Sequence, residues 1–117
     1  MFFRTPAAAV MLAATAAAAL AAGSSAPFDY KPDPAMKTES RAKLQERVRR
    51  ACNVTQAKLQ GVSEAAVSRS CGCYALRTLN ALDRGELEAY RNTGYFNDSA
   101  RAKALSALDA CGLRRPV

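Results

Sequence analysis

Residues 61–83 read GVSEAAVSRSCGCYALRTLNALD, and this stretch decides the fold. Val67, Cys71, Tyr74, Ala75, Leu79 and Leu82 recur every three or four positions, with polar residues between them. That spacing lines one face of an α-helix, whereas a half-buried strand would alternate. Leu76 widens the stripe. Ser63 can accept the free N–H groups of the first turn, and Glu64 suits the positive end of the helix dipole. Val62 and Val67 stand on either side of that cap, in staple positions. The helix is expected to run to about Asp83, with Gly85 as its stop.

The same period continues on both sides. Upstream, Leu44, Val48, Cys52, Thr55 and Leu59 predict a first helix over roughly 39–59, with Lys58 in its last turn and Gly61 as a left-handed stop. Downstream, Glu86 to about Asn92 reads as a short helix burying Leu87 and Tyr90 and ended by Gly94. Tyr95 and Phe96 then close one end of the core. Asp98 or Ser99 caps a last helix to Cys111, with Arg101, Ala104, Leu105, Leu108 and Cys111 as its stripe. Gly112, with Leu113 folding back on Leu108, matches a Schellman ending. No segment alternates like a strand, and no repeat is visible. The expected fold is all-α, a small disulfide-stapled bundle of three to four helices with short connections.

Four cysteines, Cys52, Cys71, Cys73 and Cys111, allow three pairings. Cys71 and Cys73 are two positions apart, which on a helix turns their side chains roughly 200° away from each other. They cannot easily bond to one another. If the first two helices form an antiparallel hairpin around Gly61, residues at one level share an index sum. Val48 with Ala75, Leu44 with Leu79 and Cys52 with Cys71 all share the sum 123. This favours Cys52–Cys71 and Cys73–Cys111. The swap, Cys52–Cys73 with Cys71–Cys111, stays open.

Residues 1–21 read as a secretory signal peptide. Arg4 is the only charge near the start, residues 6–22 carry none, and Ala19-Leu20-Ala21 offers a small-x-small cleavage site. A retained anchor would have to span about 30 Å of hydrocarbon, for which this short alanine-rich run is poorly suited. No cysteine follows the apolar run to carry a lipid, and no twin arginine precedes it. The expected address is therefore the bacterial periplasm or the exterior, with no membrane span after signal removal. An even cysteine count in a small exported chain then reads as a disulfide framework. Residues 22–38, with Pro27, Pro32 and Pro34, read as a flexible arm, and 39–117 as the helical domain.

The 117 residues carry a net charge of +7, with no His and no Trp. Lack of His removes the usual general base near neutral pH and the usual zinc ligand. Ser63, Ser68 and Ser70 consequently have no triad partner. Asp83, Glu86 and Glu88 lie around Gly85, where carboxylates read as helix caps. Asn53-Val54-Thr55 and Asn97-Asp98-Ser99 match the glycosylation pattern but read as chance triplets. No catalytic residues, cofactor or metal site are expected. Cys71-Gly72-Cys73 offers the sharper alternative of a thiol–disulfide or soft-metal protein. The motif lies inside a helix, away from the positive helix end that lowers a thiol pKa. The row Arg41, Lys43, Arg47, Arg49, Arg50 is the strongest surface signal, and with Tyr90, Tyr95 and Phe96 it makes up the candidate partner-binding set. An acidic protein or an anionic envelope component would suit such a row. Nucleic acid is not expected outside the cell.

Taken together, Cys52, Gly61-Val62-Ser63, Cys71-Gly72-Cys73-Tyr74 and Cys111 give a pattern that resembles a group of small exported bacterial all-helical proteins with four cysteines, over about residues 44–112. The resemblance implies the fold and the address and assigns no activity. The expected role is a non-enzymatic binding or interaction module of the cell envelope.

Overall fold

Helix starts and stops set the architecture, because nearly every boundary carries its own capping residue. The computed structural model describes residues 31–116, so the expected signal peptide and residues 22–30 of the expected arm lie outside the described residues. Helix α1 spans Arg41–Gln60, α2 Glu64–Ala81, α3 Arg84–Thr93 and α4 Asp98–Ala110. The fold is all-α, with no strand among the described residues. Ser40 accepts the Lys43 N–H to open α1, and Ser63 accepts the Ala66 N–H to open α2. Gly61 sits at φ 66°, a left-handed conformation that a Cβ would penalise, and lets Val62 return its N–H to Ala57. At the far end Leu113 donates to Leu108 O and Gly112 to Asp109 O, the two bonds of a Schellman ending. Leu113 and Leu108 are buried in the same apolar cluster.

Three boundaries differ from the sequence reading. Helix α2 stops at Ala81 with Leu82 extended, and Asp83 is the N-cap of α3. Asp83 accepts the Glu86 N–H while the Glu86 carboxylate accepts the Asp83 N–H, a reciprocal capping box that starts α3 before Gly85. Gly85 therefore lies inside the first turn of α3 and stops nothing. Asn97, not Asp98 or Ser99, caps α4 by accepting the Ala100 N–H. Its buried face is Ala100, Ala104, Ala107 and Leu108, which turns Arg101 out to solvent. Likewise Leu76 is 50% exposed and does not widen the stripe of α2.

The α1–α2 hairpin is the frame. A disulfide joins Cys52 to Cys71 with Cα atoms 5.6 Å apart, and a second joins Cys73 to Cys111 across 5.9 Å, linking α2 to the end of α4. Both spans fall in the usual range for unforced bridges. This pairing is the one in which Cys52 and Cys71 share the index sum of the stripe residues. One apolar cluster gathers Met36, Leu44, Val48, Ala75, Leu79 and Tyr90. The other gathers Cys52, Val67, Cys71, Leu108 and Leu113, and Tyr74 packs against both.

The end of the arm belongs to the fold, which moves the 22–38 boundary. Pro34–Lys37 forms a 3-10 turn capped by Asp33, and it buries Met36 in the first cluster. Arg91 of α3 donates to Met36 O and to Glu39 O, at 3.2 and 2.5 Å. A proline-marked segment with a single large apolar residue shows no periodicity, so its docking leaves no trace in the pattern.

Candidate functional site

The basic row on α1 is mostly spent inside the molecule. Arg41 donates to Leu79 O at 2.8 Å and to Asn80 Oδ1 at 2.9 Å, so its charge satisfies the negative end of α2. Arg47 grips Glu39 and also reaches Asp33 at 2.8 Å, tying α1 to the arm. These contacts hold both carboxyls below the usual range, although for Asp33 the Ala35 N–H is the larger cause. Arg49 pairs with Glu46 and donates to Ser68 of α2 at 3.0 Å. Lys43 and Arg50 are exposed and, among the described residues, make no contact beyond α1 of the kind Arg41, Arg47 and Arg49 make, and Arg50 lies 3.8 Å from Glu46. Three of the five candidate cations thus position helices. A row of arginines reads as a surface patch only until their carboxylate and carbonyl partners are known.

The aromatic candidates do converge. Tyr90 from α3 is buried, and its ring centroid lies 4.9 Å from that of Phe96. Tyr95 is 43% exposed beside them. Gly94, at φ 78°, reverses the chain between α3 and α4 and delivers Tyr95 and Phe96 to the flank of α1. Together they form one wall of an open groove of about 260 Å³. The opposite wall is α1, through Val48, Ala51, Cys52, Thr55 and Gln56. Tyr74 of α2, Leu108 of α4 and Pro116 of the tail complete the lining. Burial pushes the Tyr74 phenol above its ordinary pKa, so it stays neutral there.

Two supports of this groove could not be read from the sequence. Gln56 is almost wholly buried, and clamps the tail by donating to Arg114 O at 2.6 Å and accepting the Arg114 N–H at 3.1 Å. That clamp sets Pro116 at the groove. On the other side Glu86 of α3 takes the Lys103 ammonium of α4 at 2.5 Å. Its carboxyl is pulled down to about 2, first by the Asp83 N–H and then by Lys103. A glutamine in a helical stripe and a lysine seventeen residues from its partner carry no local signal for either contact.

The cysteines offer no dithiol. Cys71 and Cys73 belong to different bridges, and none of the four cysteines is free. The two bridges suit an oxidising compartment. Among the described residues, no cluster of three or more His, Cys, Asp or Glu gathers, and no helix is long and apolar enough to cross a membrane. Asn53 is buried in α1, which withdraws its triplet from any modifying enzyme in the folded state. No protein-family model, curated protein or solved structure matches this chain.

Proposed function

We propose that this chain is an exported binding module of the bacterial periplasm or exterior, without enzymatic activity, and that its binding site is the groove between α1 and the Gly94–Phe96 connection. The observation that carries this reading is the open aromatic-lined groove set against a hairpin that one disulfide closes and a second ties to the end of α4. Concave, mostly apolar sites with a few polar groups are where small ligands and partner side chains bind. Thr55 and the tyrosines Tyr74, Tyr90 and Tyr95 bring hydroxyls to the lining, while the Gln56 amide is taken up by the tail. The leader-like first 21 residues and the cysteine usage support export. The internal engagement of Arg41, Arg47 and Arg49 favours the groove over the basic row as the contact surface.

The test places a photoreactive side chain at Tyr95 or, as control, at Leu76, in the protein produced in its own cell. Mass spectrometry then reads covalent adducts. The expected result is a discrete adduct from position 95 that disappears when Ala51→Phe fills the groove, and none from position 76. Adducts of equal yield at both positions, or at neither, refute the groove as the site.

A further inference from the structure

The two ends of the groove differ in chemistry. One end is Val48, Tyr90 and Phe96, all packed in the first apolar cluster. The other end is Thr55, the buried Gln56 and Pro116. Lys58 follows Thr55 by three positions and Ala51 by seven, so it shares their face of α1 one turn past the rim. It is exposed, and no ion pair engages it among the described residues. Arg114 lays its guanidinium on Leu59 O at 3.0 Å, beside the same turn. No acidic side chain lines the groove. No basic side chain lines it either, so the two cations stand just past the Thr55–Gln56 end of a groove whose other end is apolar.

Resting on the groove reading above, we propose that its ligand is a free single-chain anionic amphiphile, such as a medium-chain fatty acid. The acyl tail lies against Val48, Tyr90 and Phe96, and the carboxylate sits by Lys58 and Arg114. Size argues for one tail: about 260 Å³ is below the roughly 300–1,000 Å³ of sites for drug-sized ligands. Charge argues for an anion, since Lys58 and Arg114 stand near one end of the groove and the whole chain is +7. Shape argues against a bilayer surface. The exposed large apolar side chains, Val54, Val62, Leu76 and Tyr95, stand on different elements and form no single docking face.

Decanoate, decanol and decyltrimethylammonium, each below its micelle concentration, distinguish the outcomes by calorimetry and amide chemical shifts on the oxidised protein. Decanoate is expected to bind and to shift Ala51, Thr55, Tyr74 and Phe96. The cationic amphiphile should bind at least about tenfold more weakly. Lys58→Ala, at an exposed position that the fold does not need, should weaken decanoate by about two- to fivefold, the range open to one exposed ion pair. Ala51→Phe should abolish binding. Equal affinity for all three amphiphiles, indifference to Lys58→Ala, or binding to phosphatidylglycerol vesicles without binding free decanoate each overturns the proposal. If decanoate fails while the adduct at position 95 persists, the ligand class alone is wrong. If both fail, the groove reading falls with it.

Discussion

Removing either disulfide tests whether loop length or burial governs what a cross-link contributes here. The Cys73–Cys111 bridge closes a sequence separation of 38 and Cys52–Cys71 one of 19. Loop-closure entropy then gives about 4 kcal/mol for the longer loop and about 3 kcal/mol for the shorter. Burial runs the other way. Cys71 is fully buried and Cys52 nearly so, whereas Cys73 and Cys111 are half-buried. Replacing the inner pair by alanine deletes two enclosed sulfurs from the second apolar cluster. If each sulfur resembles a buried methylene in worth, that adds roughly 0.8 kcal/mol per atom before any cavity term. The sum is about 5 kcal/mol for Cys52→Ala/Cys71→Ala, and the partial burial of Cys73 and Cys111 brings the other pair to about 4–5 kcal/mol, so the shorter loop is expected to matter at least as much. Urea unfolding at low temperature, with matched m-values as a check on the unfolded state, reads the order. A Cys73→Ala/Cys111→Ala variant that loses more stability than its counterpart would refute the weight given to burial. Graded reduction gives a second readout, in which the half-buried Cys73–Cys111 bridge should open first.

Three further outcomes follow from named contacts. Leu44→Ala, at a fully buried position, should cost about 2–5 kcal/mol by chemical denaturation, while Leu76→Ala, at a half-exposed one, should stay within about 0.5 kcal/mol. Met36→Ala should destabilise by about 2 kcal/mol or more and expose the Pro34–Lys37 turn to proteolysis, and an unchanged cleavage pattern would mean that the turn is not docked. Glu86 has a carboxyl held below its ordinary 4.5, so its stabilising contribution is complete above that value and is lost as pH falls toward about 2. Thermal melts should therefore show a loss between those pH values that flattens in Glu86→Gln.

Local chemistry made most of the fold legible. Ser63, Gly61, Gly94 and Gly112 act through their own backbone neighbours, so their roles can be read from sequence spacing, whereas Ser40, expected inside a helix over 39–59, is instead the N-cap of α1. The hairpin register was also legible, because a cysteine pair, a leucine pair and a valine–alanine pair had to satisfy one antiparallel alignment. Asp83 was harder to place, since an acidic residue after an apolar stripe can end one helix or begin the next. The Glu86 three positions later decided for beginning. The site was less legible than the fold. Tyr90, Tyr95 and Phe96 were singled out as candidates and do share a wall of the groove. The arginine row was misleading because its partners, Glu39, Asp33, Leu79 O and Ser68, come from other turns or other helices. Val48, Cys52 and Leu108 had to be read as core, yet each also faces the groove.

The order of the bridges has a topological result. Cys52–Cys71 and Cys73–Cys111 enclose two covalent rings in tandem, joined only through Gly72. One ring carries Thr55 and Gln56, and the other carries Tyr74, Tyr90, Tyr95, Phe96 and Leu108. The groove thus follows the seam between the rings, with Val48, Ala51 and Pro116 outside both, and neither disulfide crosses it. Cross-linking leaves the gap itself without a covalent tie, so its width depends on side-chain packing and on hydrogen bonds such as the Gln56 clamp. An occupant can part or close that seam while every sulfur stays in place.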